Sequence, residues 1–185
     1  YICDFIGNQL IGKPFQLTDR KVEFLDFPGL RINYSTEKVT EDEFCLQPHS
    51  LLFEQEIKTQ AIDCFEANGQ KAFFKTNGDF PFDIFAATFY LLSRYEEYLP
   101  HQKDMYGRYA HDNSLAFKER FLNLPLINIW LENFKNSLEQ KFSNFKPRTP
   151  DFELIPTYDI DEAYSYKHKE WWRSAGAAVK DLLKG

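Results

Sequence analysis

The sequence predicts an α+β fold in which a short-stranded sheet accompanies a central aromatic-rich helix. Several segments carry apolar residues at helical spacing, whereas other short apolar or alternating segments lie between glycine and proline residues, as strands do. Aromatic residues make up 17% of the 185 residues, with 19 Phe and 10 Tyr. This share excludes a disordered chain, because disordered segments are poor in aromatic residues.

The first predicted element is a helix over residues 2–11. Its apolar residues at positions 2, 5, 6 and 10 share one face, and Gly12 can end it. Pro48 stops the last of the strands that follow it. These short strands are predicted at 14–18, 30–34 and 44–47.

A hairpin and the central helix come next. Strands over 61–65 and 71–75 flank Asn68-Gly69, a pair that accepts the positive φ angles of a tight turn. A helix is then predicted over 82–98, where Pro100 stops it. Because apolar residues lie nearly all round this helix, we expect it to be buried on most sides.

The second half of the chain has a predicted domain boundary. Pro147 and Pro150 indicate a linker between an accessory domain, residues 1–145, and a second segment, residues 152–185. The predicted elements here are a loop over 101–113, helices over 115–121 and 126–142, the linker over 146–151, a strand over 152–158 and a mostly helical tail over 163–184.

Charge and composition exclude two classes of partner and favour one compartment. The net charge is −6, from 22 Lys and Arg against 28 Asp and Glu, so we expect no nucleic acid to bind. We expect no transmembrane segment, because no run of about 18 apolar residues occurs. Cys3, Cys45 and Cys64 form no Cys-x-x-Cys pair, so we expect free thiols in the cytoplasm, with one disulfide and one spare thiol as the alternative.

The strongest local signal for chemistry is a pair of acids after the strand predicted at 152–158. Asp159 and Asp161 lie two residues apart, at the end of a strand where α/β proteins bind ligands. Such a pair could hold a hard or borderline cation and take a proton from water. The alternative is an acidic turn that caps the helix after it.

The segment Pro156-Thr157-Tyr158-Asp159-Ile160-Asp161-Glu162 resembles the first motif of the NodB-type polysaccharide deacetylases, carbohydrate esterase family 4. In that family the motif ends the first strand of a barrel. The resemblance implies that Asp159 is the catalytic base and that Asp161 binds zinc or another divalent metal. Residues 80–98 are also similar to a block in the amino-terminal region of deacetylase-like proteins from Bacteroidetes-type bacteria.

The family's metal site also needs a His-x-x-x-His pair, which would complete a three-ligand site. No two of the histidines here are four residues apart: they are His49, His101, His111 and His168. The chain also begins at Tyr1 and ends after a helical pattern. We therefore expect the chain to be a non-catalytic amino-terminal fragment that binds no metal of its own. The resemblance implies that the longer protein is a metal-dependent deacetylase of N-acetylated sugars, which holds a divalent ion, with zinc as the expected one.

A second hypothesis is a binding or interaction module with no hydrolase role. Arg94 and Glu97, near the end of the central helix, are its candidate binding residues. The alternative for them is a core helix whose charged end grips neighbouring segments, since buried charges are usually paired. We also expect the apolar side chains of the strand at 152–158 to pair with this domain or with a second copy, which would make a homodimer.

Overall fold

The computed structural model describes residues 1–149 and 152–159. The chain divides into two compact units, Tyr1–Thr149 and Pro150–Gly185. The first unit mixes helices with small sheets, which confirms the predicted α+β class. Its helices and strands are α1 (Ile2–Ile11), α2 (Lys21–Asp26), β1 (Ile32–Asn33), β2 (Phe44–Cys45), β3 (Phe65–Ala67), β4 (Gln70–Ala72), α3 (Ile84–Leu92), α4 (Leu115–Lys118) and α5 (Leu126–Lys141). Short 3₁₀ helices lie at Ser50–Phe53, Tyr95–Tyr98 and His111–Asn113.

The described strands form two separate two-stranded sheets rather than one. β1 pairs in parallel with β2, so that Ile32 lies opposite Phe44. β3 and β4 form an antiparallel hairpin around Asn68 and Gly69, as predicted, and the φ angles of these two residues are 51° and 74°. Its strands are shorter and closer to the turn than the predicted 61–65 and 71–75. The strand predicted at 14–18 is not formed, because that segment passes over Gly7 of α1 instead of pairing with another strand.

The two longest helices agree with the sequence pattern. α1 has the predicted bounds and ends at Gly12, whose N–H donates to the carbonyl of Asn8 at 3.1 Å. α5 ends one residue before the predicted Phe142. Both helices bury an apolar face, which is the feature that the helical period detects.

The central helix α3 is buried as predicted but is shorter than the predicted 82–98. It ends at Leu92, and Arg94 then takes a left-handed conformation with φ 53°. That backbone conformation cannot continue a right-handed helix, so the chain turns into the 3₁₀ helix Tyr95–Tyr98. α1 packs against both α3 and α5.

Edge-to-face aromatic pairs build much of the core. The ring centroids of Phe80 and Phe134 are 5.2 Å apart, and those of Phe82 and Trp130 are 5.1 Å apart. All four side chains are less than 2% exposed. The indole N–H of Trp130 donates to the carbonyl of Lys71 at 2.8 Å, so this polar group is satisfied inside the core.

Within the second unit only residues 152–159 are described. They form no helix or strand, so the predicted strand at 152–158 is absent. The physical reason is that a strand requires a hydrogen-bonded neighbour, and the described strand pairs are β1 with β2 and β3 with β4. The side chains of Phe152, Leu154 and Ile155 are exposed, and their burial against a second copy stays a prediction. The tail predicted to be helical at 163–184 lies outside the described residues.

Candidate functional site

Asp83 fixes the first turn of α3. Its side chain is fully buried, and its Oδ1 accepts the backbone N–H groups of Phe85 and Ala86, each at 3.0 Å. Aspartate is among the favoured residues at this position because its carboxylate satisfies N–H groups that have no partner inside the helix.

The other oxygen of the same carboxylate joins two distant segments. Oδ2 of Asp83 accepts the hydroxyl of Tyr34 at 2.6 Å and the backbone N–H of His49 at 2.7 Å. Burial raises the pKa of Asp83, and these hydrogen bonds partly oppose that rise. Four donors occupy the acceptor positions of one carboxylate, so Asp83 has no lone pair left for a substrate. It is a structural cross-link.

His49 is packed, not poised for proton transfer. Its ring stacks on Phe74 with centroids 3.9 Å apart, and its Nδ1 accepts the N–H of Leu51 at 3.3 Å. Burial lowers the pKa of His49, against the attraction of Asp83 and Glu54. The neutral imidazole therefore serves as a flat packing surface beside the Asp83 cross-link.

The turn that follows α3 carries three charged side chains with different surroundings. Glu96 accepts the N–H of Leu115, the first residue of α4, at 2.7 Å, and burial raises the pKa of this carboxyl. Arg94 forms an ion pair with Glu97, and its side chain is 72% exposed. Glu96 thus grips a neighbouring helix, while Arg94 and Glu97 lie together at the surface.

Arg94 and Glu97 line an open pocket of about 400 Å³, here called the arginine pocket. Its lining residues are Arg94, Glu97, Asp104, Arg108, Tyr109, Ala110 and His111. The volume is within the range of roughly 300–1,000 Å³ that is usual for small-molecule sites.

A small hairpin forms one wall of the arginine pocket. Lys103 and Tyr109 form an antiparallel bridge, and Gly107 turns the chain with φ 78°. Oδ1 of Asp104 accepts the N–H groups of Tyr106 at 2.8 Å and of the pocket residue Arg108 at 2.9 Å. The backbone hydrogen bond from Arg108 is the main cause that lowers the pKa of Asp104. The residues of this wall were missed by the sequence reasoning, and the only local signal was the turn Asp104-Met105-Tyr106-Gly107-Arg108.

Tyr109 adds a buried polar atom to this region. Its hydroxyl oxygen is buried and has no hydrogen-bond partner among the residues that the structure describes. Burial, with the nearby charges of Glu96 and Glu97, raises the pKa of Tyr109 to about 12. The hydroxyl therefore stays protonated at neutral pH and carries a donor hydrogen.

The structure describes one of the two acids predicted for the reaction centre, the catalytic base Asp159 but not the metal ligand Asp161. Asp159 is exposed on the segment 152–159, and Asp161 lies outside the described residues. No group of three or more His, Cys, Asp or Glu that could hold a metal occurs in 1–149 and 152–159. The donors present do not fit a zinc site alone, because such a site needs three or four protein ligands.

The remaining observations concern membrane-spanning helices and similarity to known proteins. Among the described helices, none is long and apolar enough to cross a membrane. A protein-family model described as a family of unknown function (DUF7033) matches residues 1–143. No curated protein and no solved structure matches the chain. The matched region includes α1 through α5 and ends before the segment that carries Asp159.

Proposed function

The chain belongs to the DUF7033 family, whose function is unknown. We propose that residues 1–149 are the non-catalytic accessory module of a metal-dependent polysaccharide deacetylase. That longer protein would remove acyl groups from N-acetylated sugars. Asp159 would be its general base and Asp161 a ligand of its divalent metal, with zinc as the expected ion. These roles come from the resemblance of residues 152–162 to the first deacetylase motif.

One observation carries the proposal: the acid pair follows directly on a self-contained module. The family match ends at residue 143, the first compact unit ends at Thr149, and Asp159 comes ten residues after it. In this module the buried carboxylate of Asp83 has all its acceptor positions occupied by hydrogen bonds, so it is not available as a general base.

The first test is the gene sequence on the 3′ side of codon 185. We expect a His-x-x-x-His pair in the same reading frame, because two imidazoles one helical turn apart would complete the metal site. A reading frame that stops, or that continues without such a pair, contradicts the deacetylase proposal.

The second test is activity of the protein encoded by the whole reading frame on an N-acetylated oligosaccharide. Asp159→Asn removes the general base and is expected to reduce kcat by about 10²–10⁴-fold. Asp161→Asn is expected to weaken zinc binding. The matched control is Glu153→Gln, an exposed acid of the same segment, which should leave both unchanged. Full activity of both aspartate variants would overturn the proposed roles.

A third test uses the 185 residues alone. Titration with zinc, followed by calorimetry, should give no tight stoichiometric binding, because the histidine ligands are not in this sequence. Tight binding at one zinc per chain would show that the site is complete without a further segment.

The thiols support a cytoplasmic location as part of the same proposal. Cys3, Cys45 and Cys64 are all free, and each is half-buried. Burial raises the pKa of Cys64 to about 11, so its unreactive thiol form is maintained at neutral pH. Thiol counting on protein taken from cells without added reductant should find three free thiols per chain. A disulfide in that material would contradict the location.

A further inference from the structure

The arginine pocket offers unused hydrogen-bond donors and acceptors side by side. Nε and one terminal nitrogen of Arg108 contact Oδ2 of Asp104, each at 3.2 Å, and a terminal nitrogen of Arg94 pairs with Oε1 of Glu97. A guanidinium has five N–H donors, so both arginines keep donors for a ligand. Both side chains are more than 70% exposed, at 72% and 71%.

Charge matching in this pocket narrows the class of ligand. Two guanidinium groups, of Arg94 and Arg108, are balanced by two carboxylates, of Glu97 and Asp104. A phosphate or a carboxylate ligand would meet both acids, and a divalent cation would meet both arginines. A hydroxyl group both donates and accepts, so it can bridge a guanidinium and its carboxylate partner without disturbing the pair.

Hydrogen bonds hold one wall of the pocket in place. Oδ1 of Asn113 accepts the N–H of Gln102 at 3.0 Å, and the Nδ2 of the same side chain donates to the carbonyl of Gln102 at 2.9 Å. These bonds close the base of the hairpin that carries Asp104 and Arg108. A preformed wall lowers the entropy that a ligand must lose on binding.

Arg94 holds a backbone position that other residues would fill at lower energy. It follows the end of α3 in a left-handed conformation, where glycine is the usual residue. An arginine there costs stability. Its side chain lies in the lining of the arginine pocket, which supplies a reason for the residue.

From these observations we propose that the arginine pocket binds a neutral polyhydroxylated ligand, of the oligosaccharide class. The inference goes beyond the proposed function, because it assigns a ligand to the accessory module and uses neither Asp159 nor Asp161. Tyr109 and Ala110 are also lining residues, and an aromatic ring or a methyl group can pack on the apolar faces of a sugar ring.

A second pocket on the same module provides the matched control. It measures about 470 Å³ and contains Arg120, which also follows a helix in a left-handed conformation, with φ 63°. Its charged residues are Lys71, Lys118, Arg120, Glu66 and Glu119, so its cations outnumber its acids. Arg120→Ala therefore changes the same residue type in the same backbone setting but outside the proposed site.

In the experiment, the whole 185-residue chain is titrated with three tetrasaccharides. Two of them are neutral, one of N-acetylglucosamine and one of glucose, and the third is an acidic tetrasaccharide of galacturonic acid. Calorimetry measures affinity, and amide NMR shifts locate the contact. We expect at least one of the neutral sugars to bind, with shifts at residues 94–97 and 104–111. Arg108→Ala should weaken its binding at least about tenfold, whereas Arg120→Ala should leave it unchanged.

Three outcomes would overturn the inference. They are the absence of binding by both neutral sugars up to about 10 mM, preferred binding of the acidic tetrasaccharide, and equal loss of binding in the Arg108 and Arg120 variants. The acid-pair variant Asp159→Asn should retain sugar binding. A loss of deacetylase activity and a lack of sugar binding at the arginine pocket are therefore separate results, and each tests a different proposal.

Discussion

The hydroxyl of Tyr34 donates a 2.6 Å hydrogen bond to Oδ2 of Asp83, which lies 49 residues further along the chain. The bond ties the segment that follows β1 to the first turn of α3. Because Asp83 also holds the N–H groups of that turn, a single buried carboxylate connects a helix, a strand segment and the backbone of His49. The stability of the module should depend on this connection.

Removing the Tyr34 hydroxyl tests that dependence. Tyr34→Phe keeps the ring and its packing but removes one hydrogen bond to a charged group, and such bonds contribute about 1.5–3 kcal/mol. We expect the free energy of unfolding in urea at pH 7 to fall by that amount. The exposed Tyr98 gives the control, since Tyr98→Phe should change stability by less than about 0.5 kcal/mol. Equal effects of the two substitutions would contradict the structural role of the bond.

The buried carboxylate also predicts a pH dependence. Burial raises the pKa of Asp83 above its ordinary 3.8, so between these two values the folded state binds more protons than the unfolded state. The contribution of Asp83 to stability is therefore largest below pH 3.8 and is lost as the pH rises through the raised pKa. Burial also raises the pKa of Glu96, so the contribution of Glu96 to stability is likewise lost as the pH rises.

A comparison of two proteins isolates Asp83 from the other acids. The Tyr34 hydrogen bond lowers the pKa of Asp83, so Tyr34→Phe should raise that pKa further and extend the loss of stability to higher pH. The difference in unfolding free energy between wild type and Tyr34→Phe should thus grow from pH 4 to pH 7. A difference that is constant with pH would show that the carboxylate does not titrate in this range.

Glu43 is a second buried acid that organises a loop. Its Oε1 accepts the side-chain N–H of Asn33 at 2.7 Å and the N–H of Val39 at 3.0 Å, and its Oε2 accepts the N–H of Thr40 at 3.0 Å. Glu43→Gln places an amide NH₂ against a backbone donor and should cost about 1–3 kcal/mol in urea unfolding. Glu41→Gln, on an exposed side chain two residues away, should cost less than about 0.5 kcal/mol.

The sequence could predict those elements whose signal is local. The apolar period marks α1 and α5, and Asn68-Gly69 marks the hairpin, because each signal lies within a few neighbouring residues. The parallel pairing of β1 with β2 could not be predicted, since it depends on contacts that no short pattern encodes. The six-residue helix α2 was missed because it buries no residue and so has no core-facing stripe.

The same division holds for the candidate sites. Arg94 and Glu97 could be selected because they lie on the predicted central helix. Asp104 and Arg108 could not, because only the folded hairpin brings them to the same pocket. The pairing of Tyr34 with Asp83 spans 49 residues and left no sequence signal except the helix-capping aspartate.

Two arginines in left-handed conformations predict stabilising substitutions. Arg94 and Arg120 have φ angles of 53° and 63°. For a residue with a Cβ atom, this left-handed conformation lowers the free energy of unfolding by about 1–2 kcal/mol. After the larger unfolded-state entropy of glycine is subtracted, Arg94→Gly and Arg120→Gly should each raise the unfolding free energy by about 0.5–1 kcal/mol. Only Arg94→Gly should also weaken sugar binding. Loss of stability in both variants would contradict the assigned strain.

Gly7 in α1 should behave opposite to the usual helical glycine. Replacing an exposed glycine inside a helix by alanine normally raises the free energy of unfolding by about 0.5–1 kcal/mol. A Cβ on Gly7, however, would lie 2.7 Å from both the carbonyl oxygen of Lys13 and the backbone nitrogen of Phe15. Gly7→Ala must push this backbone away and should cost about 1–3 kcal/mol in urea unfolding. The exposed Gln9 of the same helix gives the control, because Gln9→Ala should stay within about 0.5 kcal/mol of wild type. A gain in stability for Gly7→Ala would show that the segment after α1 does not pass this close to the helix.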